Sequence, residues 1–278
     1  MLKEQETPTP MPPALPDWIT PDWPAPPQVQ ALCSTRHGGV SAPPWDSLNL
    51  GLHVGDDAQA VQTNWQRLRQ TTCPGVRWVR LEQVHAAAVA TLDKHSPDGS
   101  VADASTTQDH GLACAVLVAD CLPVLFTNRA GTRVAAAHAG WRGLAAGVLE
   151  KTLQCFSMEK TSEQAPNAIN NEVMAWLGPC IGSGAFEVGT EVRDAFCSAH
   201  PLAQQAFTPA EQTGKYLADL AALARQRLRA AGVTQLFGND GSVSWCTVSN
   251  PSRFFSHRRD TARLGASGRM AAGIWLKA

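Results

Sequence analysis

The sequence predicts an α/β fold, a single domain with mixed β-sheets flanked by helices. Three observations carry that expectation. Short apolar runs alternate with amphipathic runs of helical length along most of the chain. The alternation lacks the regular strand–helix–strand beat of a doubly wound sheet, which points to mixed strand directions. No internal repeat or interdomain linker interrupts it, and 278 residues are enough for one large core.

Each element has its own signal. Nine of the 19 prolines fall within the first 27 residues, so residues 1–28 are expected to form an extended tail or surface strap, pinned by Trp18 and Trp23 to a domain over 29–278. Residues 29–35 read as a strand and lead into a loop through Arg36-His37-Gly38-Gly39. Asp56-Asp57 are placed to cap a helix over 58–70, with Val61, Trp65 and Leu68 among its apolar positions. Residues 76–81 and 87–92 read as strands broken at Gln83-Val84-His85. Residues 112–119 and 124–127 suit buried strands, with Pro123 expected to interrupt them. A strand over 133–139 continues into a helix over 140–155. A strand at 173–177 precedes a glycine-rich turn and a helix over about 187–198. Residues 216–230 read as one strong helix, and 233–237 and 270–276 as the last strands.

Composition excludes several function classes. A hydrophobic content of 44%, a charged content of 17% and a formal net charge of -1 describe a soluble globular protein without the basic face that nucleic acid or an anionic membrane would favour. No apolar run approaches the roughly 20 residues of a membrane helix. The start, Met1-Leu2-Lys3-Glu4-Gln5-Glu6, lacks the basic and apolar regions of a secretory signal, and the eight cysteines include no CxxC pair. A cytoplasmic, monomeric protein is expected, with Cys33, Cys114, Cys180 and Cys246 as buried thiols.

The chemistry lies in three short patches: Gln83-Val84-His85, Ala119-Asp120-Cys121-Leu122-Pro123 and Ala137-His138-Ala139-Gly140-Trp141-Arg142-Gly143. Each places one imidazole or thiol at an expected strand break or strand end. Taken singly, a lone histidine is more often a surface or core residue than a ligand, and a lone thiol more often inert. Together, His85, Cys121 and His138 offer three N/S ligands with a vacant fourth position, the arrangement of a catalytic zinc site. Asp120 is suited to orienting an imidazole or passing protons. The turn Gly140–Gly143 at a helix start, with Arg142, offers an anion site. The glycine-rich run 178–184 is a second candidate anion cradle, though it matches no phosphate-loop pattern. Arg258 and Arg259 follow two phenylalanines, and Arg36 lies in the first glycine-rich loop; all three suit an anionic substrate.

The ordered set of patches resembles the YfiH/laccase-domain family (DUF152, multicopper polyphenol oxidase-like). The resemblance rests on Arg36-His37-Gly38-Gly39-Val40-Ser41, Ser47-Leu48-Asn49-Leu50-Gly51 with Val54-Gly55-Asp56, the three patches above, Leu177-Gly178-Pro179 with Phe186-Glu187-Val188-Gly189, Asp219-Leu220, and Cys246-Thr247 through Arg258-Arg259-Asp260. It runs from about residue 30 to the C-terminus. It implies a zinc-binding purine nucleoside enzyme that phosphorolyses adenosine, inosine and S-methyl-5'-thioadenosine and deaminates adenosine. His85, Cys121 and His138 would be the Zn2+ ligands and catalytic residues together with Asp120. Arg36, Asn49, Arg142, Arg258 and Arg259 would contact nucleoside or phosphate. One departure is the stretch Thr261-Ala262-Arg263-Leu264-Gly265-Ala266, which intervenes before Ser267-Gly268-Arg269; another is His257, where relatives often carry tyrosine.

Three other readings compete. Copper-dependent phenol oxidation shares the ligand types, but a multicopper oxidase needs many more histidines, typically in His-x-His pairs, and none of the eight here is so paired. A peptidoglycan-precursor editing hydrolase would use Cys121 as nucleophile. A metal-poised binding module would turn nothing over.

Overall fold

Two β-sheets stack face to face because their central strands are apolar on both faces. The computed structural model describes residues 17–72, 75–157 and 172–278. Leu112–Val118 is the clearest case. Leu112, Cys114 and Val116 point into the space between the sheets, while Ala113, Ala115 and Leu117 point outward toward Trp65, Trp78 and Trp275. That is the period-two alternation of a strand with no solvent face.

The four-stranded sheet has the order Val29–Cys33, Met270–Leu276, Leu112–Val118, Arg77–Val79, of which the last pair is parallel. The six-stranded sheet runs Gln235–Gly238, Val173–Leu177, Leu122–Asn128, Val134–Ala139, Ala104–Thr107, Val89–Thr91. Its two edge pairings are parallel and its inner ones antiparallel. The helix Ala58–Thr72 covers the outer face of the smaller sheet through Val61, Trp65 and Leu68. The helices Val148–Ser157, Thr190–Cys197 and Leu220–Ala230 cover the outer face of the larger one through Leu149, Leu153, Phe196, Leu223 and Leu228. The result is a four-layer stack of helix, sheet, sheet and helices, as an α/β reading with mixed sheets requires. No helix among the described residues is long and apolar enough to cross a membrane.

Four sequence expectations change. Pro123 does not interrupt its strand: it lies within Leu122–Asn128, opposite His138. The ladder to Val173–Leu177 ends at Val124↔Leu177, so the donor that Pro123 lacks falls beyond it. The helix expected over 140–155 is two, Trp141–Ala145 and Val148–Ser157, parted by Gly147 at φ +88. The helix expected from 187 starts later, because Glu187–Gly189 pairs as a strand with Lys215–Ala218. That pairing also removes 216–218 from the long helix. Asp219 starts it instead, its side chain accepting from Ala222 N at 2.8 Å and capping Leu220–Ala230.

Residues 17–28 lie along the domain. Ile19 and Cys33 exchange backbone hydrogen bonds of 2.8 Å, Trp18 Nε1 donates to the His37 carbonyl, and Thr35 donates to Asp17 at 2.8 Å. The proline-rich stretch through residue 16, and Cys73, lie outside the described residues. Cys33, Cys114, Cys180 and Cys246 are buried free thiols. Burial pushes the thiols of Cys33 and Cys114 up to about 12, which makes them inert.

Packing between the helix Ala58–Thr72 and its sheet tolerates no added volume at Gly273, where a Cβ would stand 2.2 Å from the Trp78 ring. Gly273→Ala is expected to destabilise the fold by about 1–3 kcal/mol, read as a lower urea midpoint at unchanged slope.

Candidate active site

Residues 119–121 carry the chain from Leu112–Val118 in one sheet to Leu122–Asn128 in the other, so Cys121 lies at the seam between them. His138 shares a strand face with Val134 and Ala136, the face that packs against the smaller sheet. It therefore points into the same seam. His85 sits in the bend after Leu81–Glu82 with φ 59. The fold thus brings the donor atoms of His85, Cys121 and His138 within 4.8 Å of one another. The two imidazole rings meet edge to face with centroids 4.8 Å apart. Gly140 closes the group from behind, since a Cβ there would stand 2.9 Å from Cys121 Sγ and 3.1 Å from the His85 ring.

The residue that holds two of these donors in place is one the sequence reading missed. Asp103 is fully buried, and the register Ala104↔Ala137 sets it opposite His138. Its carboxylate accepts from His138 Nδ1 at 2.9 Å, and from the backbone N–H groups of Val84, His85 and Ala86 at 3.2, 2.9 and 2.7 Å. A carboxylate only accepts, so His138 holds a proton on Nδ1 and turns Nε2 toward Cys121. Nε2 donates to the thiolate while the ring is charged and is the nitrogen that is bared when the ring is neutral. Burial opposes the charge on Asp103, but the hydrogen bond from His138 and those from the Ala86 and His85 amides outweigh it and keep the carboxyl below its usual range. Gln83 ties the same bend to the other sheet, donating to Leu117 O at 2.9 Å and accepting from Leu117 N at 2.7 Å. The signal for Asp103 in the sequence is an acid flanked by alanines just before a strand.

Without metal, Cys121 and His138 polarise each other. Burial raises the thiol's pKa, but the neighbouring His138 charge and hydrogen bonds from both histidines bring it down to about 6. Burial lowers that of His138, and the Cys121 thiolate and Asp103 raise it to about 9. A thiolate beside imidazoles is the ionisation state in which cysteine binds metal.

These donors line a cavity of about 710 Å³, within the usual range of small-molecule sites. Its lining combines the apolar side chains of Leu117, Trp141, Ile181, Phe186 and Leu220 with the polar or charged ones of His53, Glu82, His257, Arg258 and Arg269. Asp120 also lines it, at φ 82, but its carboxylate is fully engaged. It accepts from Thr247 Oγ1 at 2.5 Å, Ser256 Oγ at 3.1 Å and Arg258 N at 2.6 Å. It anchors the turn that presents His257 and Arg258.

Of the expected substrate contacts, only Arg258 reaches the cavity. Its guanidinium donates to Glu187 O and lies 5.8 Å from the Phe186 ring centroid. Arg36 is bonded to Asp46 and to Pro251 O. Buried Asn49 bonds Gly51, Asp56 and Arg269 N. Arg142 is exposed and rests on the Trp141 ring at 4.6 Å, at the start of a helix of only five residues. Arg259 forks onto Asp260 and donates to three backbone carbonyls. Four N–H groups of the second candidate anion cradle are already engaged. The N–H groups of Gly178, Cys180 and Ile181 donate to Pro123, Trp245 and Asp120 carbonyls, and that of Gly182 to Cys246 Sγ. Arg269 and His53 complete the cavity wall and were not among the expected site residues.

The family model for multi-copper polyphenol oxidoreductase laccase matches residues 30–277. The chain belongs to this YfiH/laccase-domain family. A purine nucleoside phosphorylase of Pseudomonas aeruginosa is 48% identical over 261 residues, covering 94% of this chain and 98% of the relative. The purine nucleoside phosphorylase YfiH of Escherichia coli is 51% identical over 258 residues, covering 93% and 98%. Among solved structures, a Neisseria meningitidis protein of the DUF152 family superposes with a TM-score of 0.83 at 47% identity, covering 94% of this chain and all of that one.

The family's name implies a metal, and the residues fit one. Two imidazoles and a thiol converge from three segments, Gly140 leaves room beside them, and Asp103 fixes the tautomer that bares His138 Nε2. Ligand type alone suits zinc or copper. Asp103→Asn keeps the shape but loses part of the acceptor capacity. It is expected to weaken zinc binding about 10- to 100-fold in chelator competition, with the fold retained by circular dichroism.

Proposed function

We propose that this YfiH-family chain is a zinc-dependent purine nucleoside phosphorylase acting on adenosine, inosine and S-methyl-5'-thioadenosine, and that it also deaminates adenosine. The observation that carries the reading is that the three candidate metal donors line one cavity together with apolar and aromatic side chains and two arginines. The names of the relatives from P. aeruginosa and E. coli support the phosphorylase part.

The chain's residues divide the work by chemistry. Trp141, Phe186, Ile181 and Leu220 offer apolar and aromatic surface to a planar base. Cationic side chains hold phosphate against C1′ of the ribose. As the phosphate oxygen bonds to C1′, the C1′–N9 bond breaks and its electron pair leaves with the purine. The proton released from monohydrogen phosphate balances the one the base gains. In deamination, water replaces the 6-amino group, which leaves as ammonia. With both oxygens of Asp120 engaged, Glu82 is the other carboxylate on the cavity wall that can move protons. His85, Cys121 and His138 would hold the zinc, and Asp103 would keep His138 in its ligating tautomer. Zinc, when bound, supplies a Lewis acid that polarises an oxygen on the reacting group.

The test couples metal analysis with adenosine turnover measured with and without phosphate. Wild type is expected to hold about one zinc per chain, and His138→Ala to lose both the metal and at least ~100-fold of turnover. Zinc-dependent activity surviving in that variant would sink the assignment. Zinc is also expected to protect Cys121 from alkylation, with chelated enzyme restored by added zinc. A hydrolase using Cys121 as nucleophile would instead stay active without metal and die on alkylation.

A further inference from the structure

We infer that Arg269, flanked by His53 and His257, forms the phosphate subsite of this cavity. The inference rests on the phosphorylase reading and assigns its anionic co-substrate to residues with no role so far.

Two arginines line the cavity, and their surroundings differ. Both terminal nitrogens of Arg258 donate to the Glu187 carbonyl at 3.2 Å. Arg269 donates only Nη1 to protein, to Ser267 O at 2.9 Å and Gly268 O at 3.1 Å; among the described residues no carboxylate forms an ion pair with it. One side of its fork is thereby left for a ligand, and the forked geometry matches phosphate oxygens.

Arg269 is also held rigidly. Its N–H donates to Asn49 Oδ1 at 2.9 Å, and its carbonyl accepts from Leu50 N at 3.0 Å. The stem lies over Gly51, where a Cβ would stand 2.8 Å from Arg269 Cγ. Asn49 is thus a support for Arg269, which accounts for a buried amide in the Asn49-Leu50-Gly51 segment without direct substrate contact. An arginine whose position is set before the ligand arrives loses little freedom on binding.

The two histidines complete the subsite. His53 follows Gly51 by two residues, and His257 opens the turn that Asp120 anchors; both line the same cavity. His257 Nδ1 is paired with Thr261 Oγ1 at 3.0 Å, which turns Nε2 away from the protein hydroxyl. Burial, and then the Arg269 charge, lower the pKa of both imidazoles. Neutral rings beside a fixed guanidinium can donate to and accept from monohydrogen phosphate. Arg269 lines the same cavity as His85, Cys121 and His138, so a phosphate held there shares that cavity with the candidate metal donors.

The experiment uses the full-length, zinc-loaded chain. The phosphate KM is measured at saturating inosine for wild type, Arg269→Ala, Arg269→Lys and His53→Gln. Arg269→Ala is expected to raise the phosphate KM roughly 10- to 100-fold, with Arg269→Lys intermediate. His53→Gln should raise it by a smaller factor, and the inosine KM should stay within about twofold throughout. If Arg269→Ala fails to fold or to retain zinc, the other two variants carry the test. A separate measurement asks whether inorganic phosphate alone raises the melting temperature of zinc-loaded wild type, an effect expected to be clearly smaller in Arg269→Lys. A phosphate KM for Arg269→Lys within about twofold of wild type, or a phosphate-induced shift of equal size in both proteins, overturns the inference. Absence of phosphate-dependent cleavage by wild type fails the phosphorylase reading instead, while the melting measurement still decides the subsite.

Discussion

The carboxylate of Asp103 is the constraint on which the site depends. It receives one imidazole N–H and three consecutive backbone N–H groups, and so binds the His85 bend and the His138 ring to one point. A fully buried charge is costly unless donors surround it, and here four do. The same bonds that make the burial tolerable also set the ligand geometry. His85 adopts φ 59, a conformation that non-glycine residues rarely take, while its N–H is held by this carboxylate.

The seam between two sheets is a natural place for such a centre. Strands buried on both faces are filled mostly by apolar side chains, and the candidate ligands here collect where strands end and the chain crosses over. Cys121 lies at such a crossing, His138 is one residue from its strand's end, and Asp103 immediately precedes its strand. The bend at 83–86 is tied to the smaller sheet through Gln83 and to the larger one through Asp103. Asp120 ties the crossing in turn to the 256–258 turn. The candidate metal donors and the turn that presents His257 and Arg258 are therefore fixed relative to one another by buried carboxylates, which favours a preorganised pocket.

Several parts of this arrangement were legible in the chain. The apolar runs at 112–119 and 124–127 marked buried strands because strands covered on both faces read as continuous hydrophobic stretches. His85, Cys121 and His138 stood out as donor-type side chains at strand breaks. The errors have physical causes as well. Tyr216–Ala218 looked helical because its apolar positions run on into the following helix, and only its pairing with Glu187–Gly189 separates them. Arg36, Arg142 and Arg259 are expected from sequence to meet an anion because an arginine's charge is visible there while its neighbours are not; in the fold each meets carbonyls, a carboxylate or an aromatic ring.

The sequence by itself determined the fold class, the type of ligand chemistry and the family, because these follow from hydrophobic periodicity and from residue types in a fixed order. Tertiary structure alone decided which carboxylate orients the ligands and which arginine faces the cavity. Asp103 meets His138 only through the register of two antiparallel strands, over 35 positions of sequence separation. Arg269 meets Asn49 across 220. Contacts of that kind are set by strand pairing and sheet stacking, and no local pattern encodes them. Three individually ordinary side chains thus become one group able to hold a metal ion, lining a cavity at the place where two sheets meet.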